Sequence, residues 1–163
     1  VRFMRTPDNE ARPHLSPDGQ YVAYQSQPAG PDRSAGWEVY VQRFPSGGEH
    51  TLVSVNGGVH PRWSARGDEL FFVQPDGNIL MGASIRTQPE LHVGEPQVVF
   101  FGDRVGARLF KPEQPRGTPY ETMYDVSPDG QHFVVVQHQE EDGMSASNLT
   151  LVENWVTEFA PSK

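Results

Sequence analysis

An all-β fold of repeated antiparallel sheets is predicted by three features of this 163-residue chain. The tetrapeptide Ser16-Pro17-Asp18-Gly19 recurs as Ser127-Pro128-Asp129-Gly130, and a degenerate copy, Ser64-Ala65-Arg66-Gly67, lies between them. Each copy sits between short runs in which strand-forming residues alternate with period two. The 16 glycines and 15 prolines suit many tight turns and fit a helical protein poorly.

The tetrapeptide reads as a turn. Proline pre-sets φ at its second position, aspartate tolerates the third, and glycine accepts a left-handed fourth. The middle copy keeps only the glycine, the residue that position most needs. Gly19 and Gly67 stand 48 residues apart, Gly67 and Gly130 stand 63 apart. The first interval matches one β-propeller blade, roughly 40–50 residues of four strands. The second carries about 15 residues more than that period. Gly102–Tyr120, rich in Gly, Pro and Arg, is the expected insertion, an extended surface loop.

The elements follow in order. Val1–Arg5 alternates and is expected, within residues 1–10, to form the outer strand of a neighbouring blade. Blade one (11–58) holds strands at Arg12–Ser16, Gln20–Ser26, Trp37–Phe44 and Thr51–Val55. Blade two (59–101) holds Pro61–Ser64, Glu69–Gln74, Ile79–Ile85 and Gln97–Phe101, with a turn at Pro75-Asp76-Gly77-Asn78. The last blade (121–163) holds Met123–Ser127, Gln131–His138 and Asn148–Glu153, with Asn154–Phe159 following. In it Val134–Val136 is a continuous apolar run, the pattern of a strand covered on both faces. Three blades cannot close a ring, since propellers have roughly 4–8. Either further blades of a longer protein complete it, or a homodimer does.

Several function classes are excluded or disfavoured. A formal charge of −8 speaks against nucleic acid, because phosphate binding needs clustered basic residues. The one basic cluster, Arg104, Arg108, Lys111 and Arg116, lies in the insertion and reads as a solvated loop. No apolar run is long enough for direct membrane insertion as a helix. Zero cysteines exclude a thiol nucleophile and a disulfide framework. The six histidines form no His-Glu-x-x-His pattern and no pair two apart on a strand, so no metal and no cofactor is expected. Gly143-Met144-Ser145-Ala146-Ser147 fails as a nucleophile elbow because its last residue is not glycine. No catalytic residue is assigned.

The runs Ala11-Arg12-Pro13-His14-Leu15-Ser16-Pro17-Asp18-Gly19, Val59-His60-Pro61-Arg62-Trp63-Ser64 and Tyr124-Asp125-Val126-Ser127-Pro128-Asp129-Gly130 resemble the WD40-like PD40 repeats of TolB-type β-propellers. The closing Leu149-Thr150-Leu151-Val152-Glu153-Asn154-Trp155 resembles the last blades of propellers behind bacterial kinase domains. The resemblance implies a bacterial, periplasmic, non-catalytic binding or scaffolding module with a protein or peptide partner. A propeller gating a prolyl-oligopeptidase-like hydrolase, or a structural subunit of a larger complex, are the alternatives. It also implies that each blade's first strand lines the central channel. The candidate ligand-binding residues at its mouth are then Arg12, His14, His60, Arg62 and Tyr124. Guanidinium, imidazole and phenol groups together suit a carboxylate or an acidic peptide. The same groups could instead bond backbone between blades. Trp37, Trp63 and Trp155 read as inter-blade core.

Overall fold

The Ser-turn-Gly repeats organise the chain into antiparallel meanders. A computed structural model describes residues 6–29, 36–109, 122–141 and 144–153. All three repeats close in the same way, with the glycine N–H donating to the serine carbonyl at 2.8, 3.0 and 2.9 Å. Gly19, Gly67 and Gly130 all have left-handed φ, 67°, 73° and 72°. In each turn the serine hydroxyl also accepts a backbone N–H five residues on, from Tyr21, Glu69 and His132. Asp18 and Asp129 accept the serine hydroxyl in their own turns. In the middle copy Arg66 occupies that place, and Asp68 accepts the Ser64 hydroxyl instead at 2.9 Å.

Blade one is a four-stranded sheet, β1 (Asn9–Leu15), β2 (Tyr21–Gln27), β3 (Glu38–Arg43) and β4 (His50–Leu52), in sequence order. Blade two comprises β5 (Val59–Trp63), β6 (Glu69–Val73), β7 (Ile79–Arg86), β8 (His92–Val93) and β9 (Gln97–Phe101). Both β8 and β9 pair with β7, at opposite ends of it. Blade three holds β10 (Tyr124–Val126), β11 (Phe133–Glu141) and β12 (Met144–Val152).

Sheet faces then meet by period-two alternation. In β6, Leu70 and Phe72 pack toward blade one, with Tyr21, Ala23, Val39, Val41 and Trp63. Phe71 and Val73 point the other way and pack with Tyr124, Phe133, Val135 and Val152 of blade three. The rings of Phe71 and Phe133 meet edge to face at 5.0 Å, a geometry that aromatic quadrupoles favour. The result is a partial propeller of stacked blades.

Several expectations are corrected. The first strand starts at Asn9, earlier than Arg12, because Asn9 and Glu10 pair with Gln27 and Ser26 despite lacking apolar alternation. The polar stretch at Met144–Ser147 is strand, paired in register with Glu141–His138; backbone pairing needs no apolar pattern. The insertion is not a surface loop throughout. Gly102–Val105 forms a 3-10 turn, and Ala107 and Leu109 are buried in the core between blades two and three. The Leu109 N–H donates to the Gly77 carbonyl at 3.0 Å, which straps this segment to the blade-two turn. Val134–Val136 is covered on one side only: Val135 is buried, but Val134 is 39% exposed, because no described blade follows blade three. Trp37 is half-buried against the blade two–three core, and Trp63 is buried between blades one and two. The expected strands at 1–5 and 154–159, Trp155, and the basic residues Lys111 and Arg116 lie outside the described residues.

Replacing Phe71 by Ala opens a cavity between two blades and should cost about 3–5 kcal/mol in a urea titration. Val55→Ala, at a site 54% exposed, should stay within about 0.5 kcal/mol of the parent.

Candidate functional site

The inner strands β1 and β5 share an unusual backbone. Between Ala11 and His14, β1 carries one residue more than the facing stretch of β2, and β5 does the same between Val59 and Arg62 against β6. Each is a β-bulge. At its centre stand Arg12 and His60, with φ of 55° and 56°, left-handed values rare for residues other than glycine. Each precedes a proline, Pro13 or Pro61, which removes a donor from the same stretch. Such backbone costs about 1–3 kcal/mol per residue and persists only where the surroundings over-determine it.

The surroundings here are the neighbouring blades. The bulge takes His60 out of the ladder, so its backbone groups need other partners. Its N–H donates to Gln25 Oε1 of blade one at 2.9 Å. Its carbonyl accepts the Tyr124 hydroxyl of blade three at 2.6 Å. The His60 ring bonds through Nδ1 to Thr122 Oγ1 at 2.6 Å. Trp63 binds back to blade one twice, its backbone N–H donating to His14 Nδ1 and its indole N–H to the His14 carbonyl, both at 3.1 Å.

These bonds decide the charges. His14 Nδ1 accepts a proton donor, so the ring is neutral with its proton on Nε2. Burial, then the Arg62 charge, lowers its pKa. His60 is held down to about 4, first by burial and then by the charges of Arg12 and Arg62. Burial pushes the Tyr124 phenol up, so it remains a donor. The exposed Asp125 carboxylate acts the other way on His14, raising its pKa by less than burial and Arg62 lower it.

The five candidate residues are therefore brought to one edge, where β1, β5 and β10 meet, in two roles. His14, His60 and Tyr124 are engaged in bonds between blades. Arg12 and Arg62 are half-exposed, and among the described residues neither forms an ion pair. Arg62 donates one bond, from Nη1 to the Pro61 carbonyl at 3.1 Å. Gln25 and Thr122 were not singled out in the sequence. The only available signal was a polar residue on the buried face of β2, and Thr122 gave none. Among the described residues no cluster of His, Asp and Glu could hold a metal ion. No helix of the described residues is long and apolar enough to cross a membrane.

No family model matches the sequence, and no curated protein matches it. The fold is similar to that of Pyrococcus horikoshii acylaminoacyl peptidase, at 14% identity and a TM-score of 0.55, over 83% of this chain and 18% of that one. It is similar to an oligogalacturonate lyase in complex with manganese, at 14% identity and a TM-score of 0.56, over 94% of this chain and 38% of the lyase. The β-propeller domain of the Trilobed protease from Pyrococcus furiosus overlays 90% of this chain on 41% of its own, at 16% identity and a TM-score of 0.48. The chain thus spans less than half the length of each. At these identities the likeness concerns the fold.

Acid should loosen the inner edge. Both imidazoles have folded pKa values below the ordinary 6.5, so the unfolded chain takes up their protons first. Their contribution is complete above about pH 6.5 and is lost as pH falls toward 4, on the order of 2–3 kcal/mol for His60. Urea midpoints measured from pH 7 to 4 should drop, and a His60→Gln variant should show a flatter profile.

Proposed function

We propose that this chain is a non-catalytic binding module, a set of TolB-like propeller blades that takes an acidic segment of a protein or peptide partner at its inner edge. One observation carries the reading: among the described residues Arg12 and Arg62 form no ion pair, on a chain of formal charge −8. Both guanidiniums act on the same buried imidazole, His60, and lower its pKa. The planar guanidinium fork suits a carboxylate, which it can bind through paired N–H donors. The bulge at Arg12 and the one just before Arg62 add to this, since bulges re-aim side chains at functional edges. The resemblance to TolB-like repeats extends the reading to an extracytoplasmic bacterial setting.

The histidines serve the module by staying neutral. His14 and His60 hold the inner strands in place and add no charge near pH 7, so the Arg pair sets the sign of the edge.

The test is fluorescence anisotropy with a labelled deca-glutamate peptide, and with deca-glutamine as the uncharged control. Glutamate should bind and glutamine should not. Arg12→Ala and Arg62→Ala should each weaken binding by about ten-fold, in line with 1.5–3 kcal/mol for charge-assisted bonds. The affinity should fall with added salt as exposed charges are screened. Equal binding of both peptides, or no loss in either variant, would reject the proposal.

A further inference from the structure

Away from the inner edge, blades one and two border a cleft of about 440 Å³. One wall is the β3–β4 connection of blade one, from Arg43 to Glu49. The other is Glu90 and Leu91, just before β8 of blade two. None of the five candidate residues of the inner edge lines it. Small-molecule sites span roughly 300–1,000 Å³, so the cleft has room for one small solute.

The core beneath holds these walls. Leu91 packs against the apolar cluster shared by blades one and two, and the fully buried Tyr21, which also lines the cleft, belongs to that cluster. The Arg43 guanidinium lies over the Tyr21 ring, 5.4 Å from its centre, a cation–π contact that steers the charge. The Gly47 N–H donates to the Arg43 carbonyl at 3.1 Å. The buried Gln42 amide donates from Nε2 to the Gly48 carbonyl at 2.5 Å. Gly47 and Gly48 have positive φ, 69° and 111°, and a Cβ at either would meet open space. Bare backbone of this kind lets a ligand approach closely.

The charges of the cleft are mixed in sign. Arg43, Glu49 and Glu90 are all exposed, and among the described residues none of the three forms an ion pair. Two carboxylates against one guanidinium leave the cleft net negative. A solute that satisfies all three carries one anionic and two cationic groups, and Leu91 offers apolar surface to an aliphatic stem. We propose that the cleft binds a free diamino acid such as L-lysine, with its carboxylate on Arg43 and its two ammonium groups on Glu49 and Glu90. Each of these bonds is charge-assisted, roughly twice as strong as a neutral one. The half-buried Thr51 hydroxyl, also in the lining, is a further donor or acceptor beside them.

Titrating the full chain with L-lysine, followed by NMR amide shifts, tests this. Saturable shifts should concentrate at Gly47, Gly48 and Leu91, with a Kd of about 1 mM or tighter. L-norleucine has the same stem without the second ammonium and should bind about ten-fold more weakly. L-glutamate, of opposite net charge, should not bind. Arg43→Gln, Glu49→Gln and Glu90→Gln should each weaken lysine binding by about ten-fold. All three positions are exposed, so the variants should keep the parent's urea midpoint, and weaker binding is then not loss of fold. The norleucine comparison uses the parent alone and stands whatever the variants do. No saturable shift with lysine, equal affinity for lysine and norleucine, or unchanged binding in all three variants would each overturn the proposal.

Discussion

Blade two is the only sheet described here with both faces covered by others, and the rest of the structure depends on that burial. Leu70 and Phe72 on one side, Phe71 and Val73 on the other, are all fully buried within five consecutive residues of β6. A strand so apolar cannot exist half in water. It makes blades one and three necessary as cover, and the edge-to-face Phe71–Phe133 pair adds a preferred geometry to the second contact. Aromatic packing thus sets the stacking of the blades, and through it the place where the inner strands meet.

The inner edge solves a different problem. Packing brings β1, β5 and β10 close, but β1 and β5 each carry an extra residue that breaks their ladders. At the β5 bulge the backbone donor and acceptor freed at His60 are met from neighbouring blades. Gln25 and Tyr124 each supply one partner to His60 of blade two, and His14 supplies two to Trp63. The strain at His60 is retained because bonds from two blades hold it. The stacking and the strained edge are therefore coupled: the bulges orient the edge only while both contacts with blade two persist.

That coupling explains why charge at the edge is so uneven. Imidazoles spent on bridging bonds are kept neutral by burial and by adjacent guanidiniums. The guanidiniums themselves stay partly in water, where they need no partner. A net-negative protein is left with two partly exposed guanidiniums, Arg12 and Arg62, beside neutral imidazoles.

The sequence by itself determined the local geometry. Three serine-to-glycine turns, the four-stranded plan of blade one and the all-β class are written in residues at most a few positions apart, because turn type depends on φ at single residues. Blade two has a fifth strand, His92–Val93, that the sequence did not mark. The resemblance to TolB-type repeats also implied Arg12, His14, His60, Arg62 and Tyr124 as a group. What those side chains do was decided by tertiary structure. The bonds that engage His14, His60 and Tyr124 join residues 49, 35 and 64 positions apart, and no local pattern encodes such a pairing. The bulges were hidden for the same reason, since a register shift exists only between two strands. Likewise, Ala107 and Leu109 read as loop because burial there comes from a strap to Gly77, outside their own segment. The apolar run at Val134–Val136 was legible as a strand, but only the stack of blades decided which of its faces is buried against blade two.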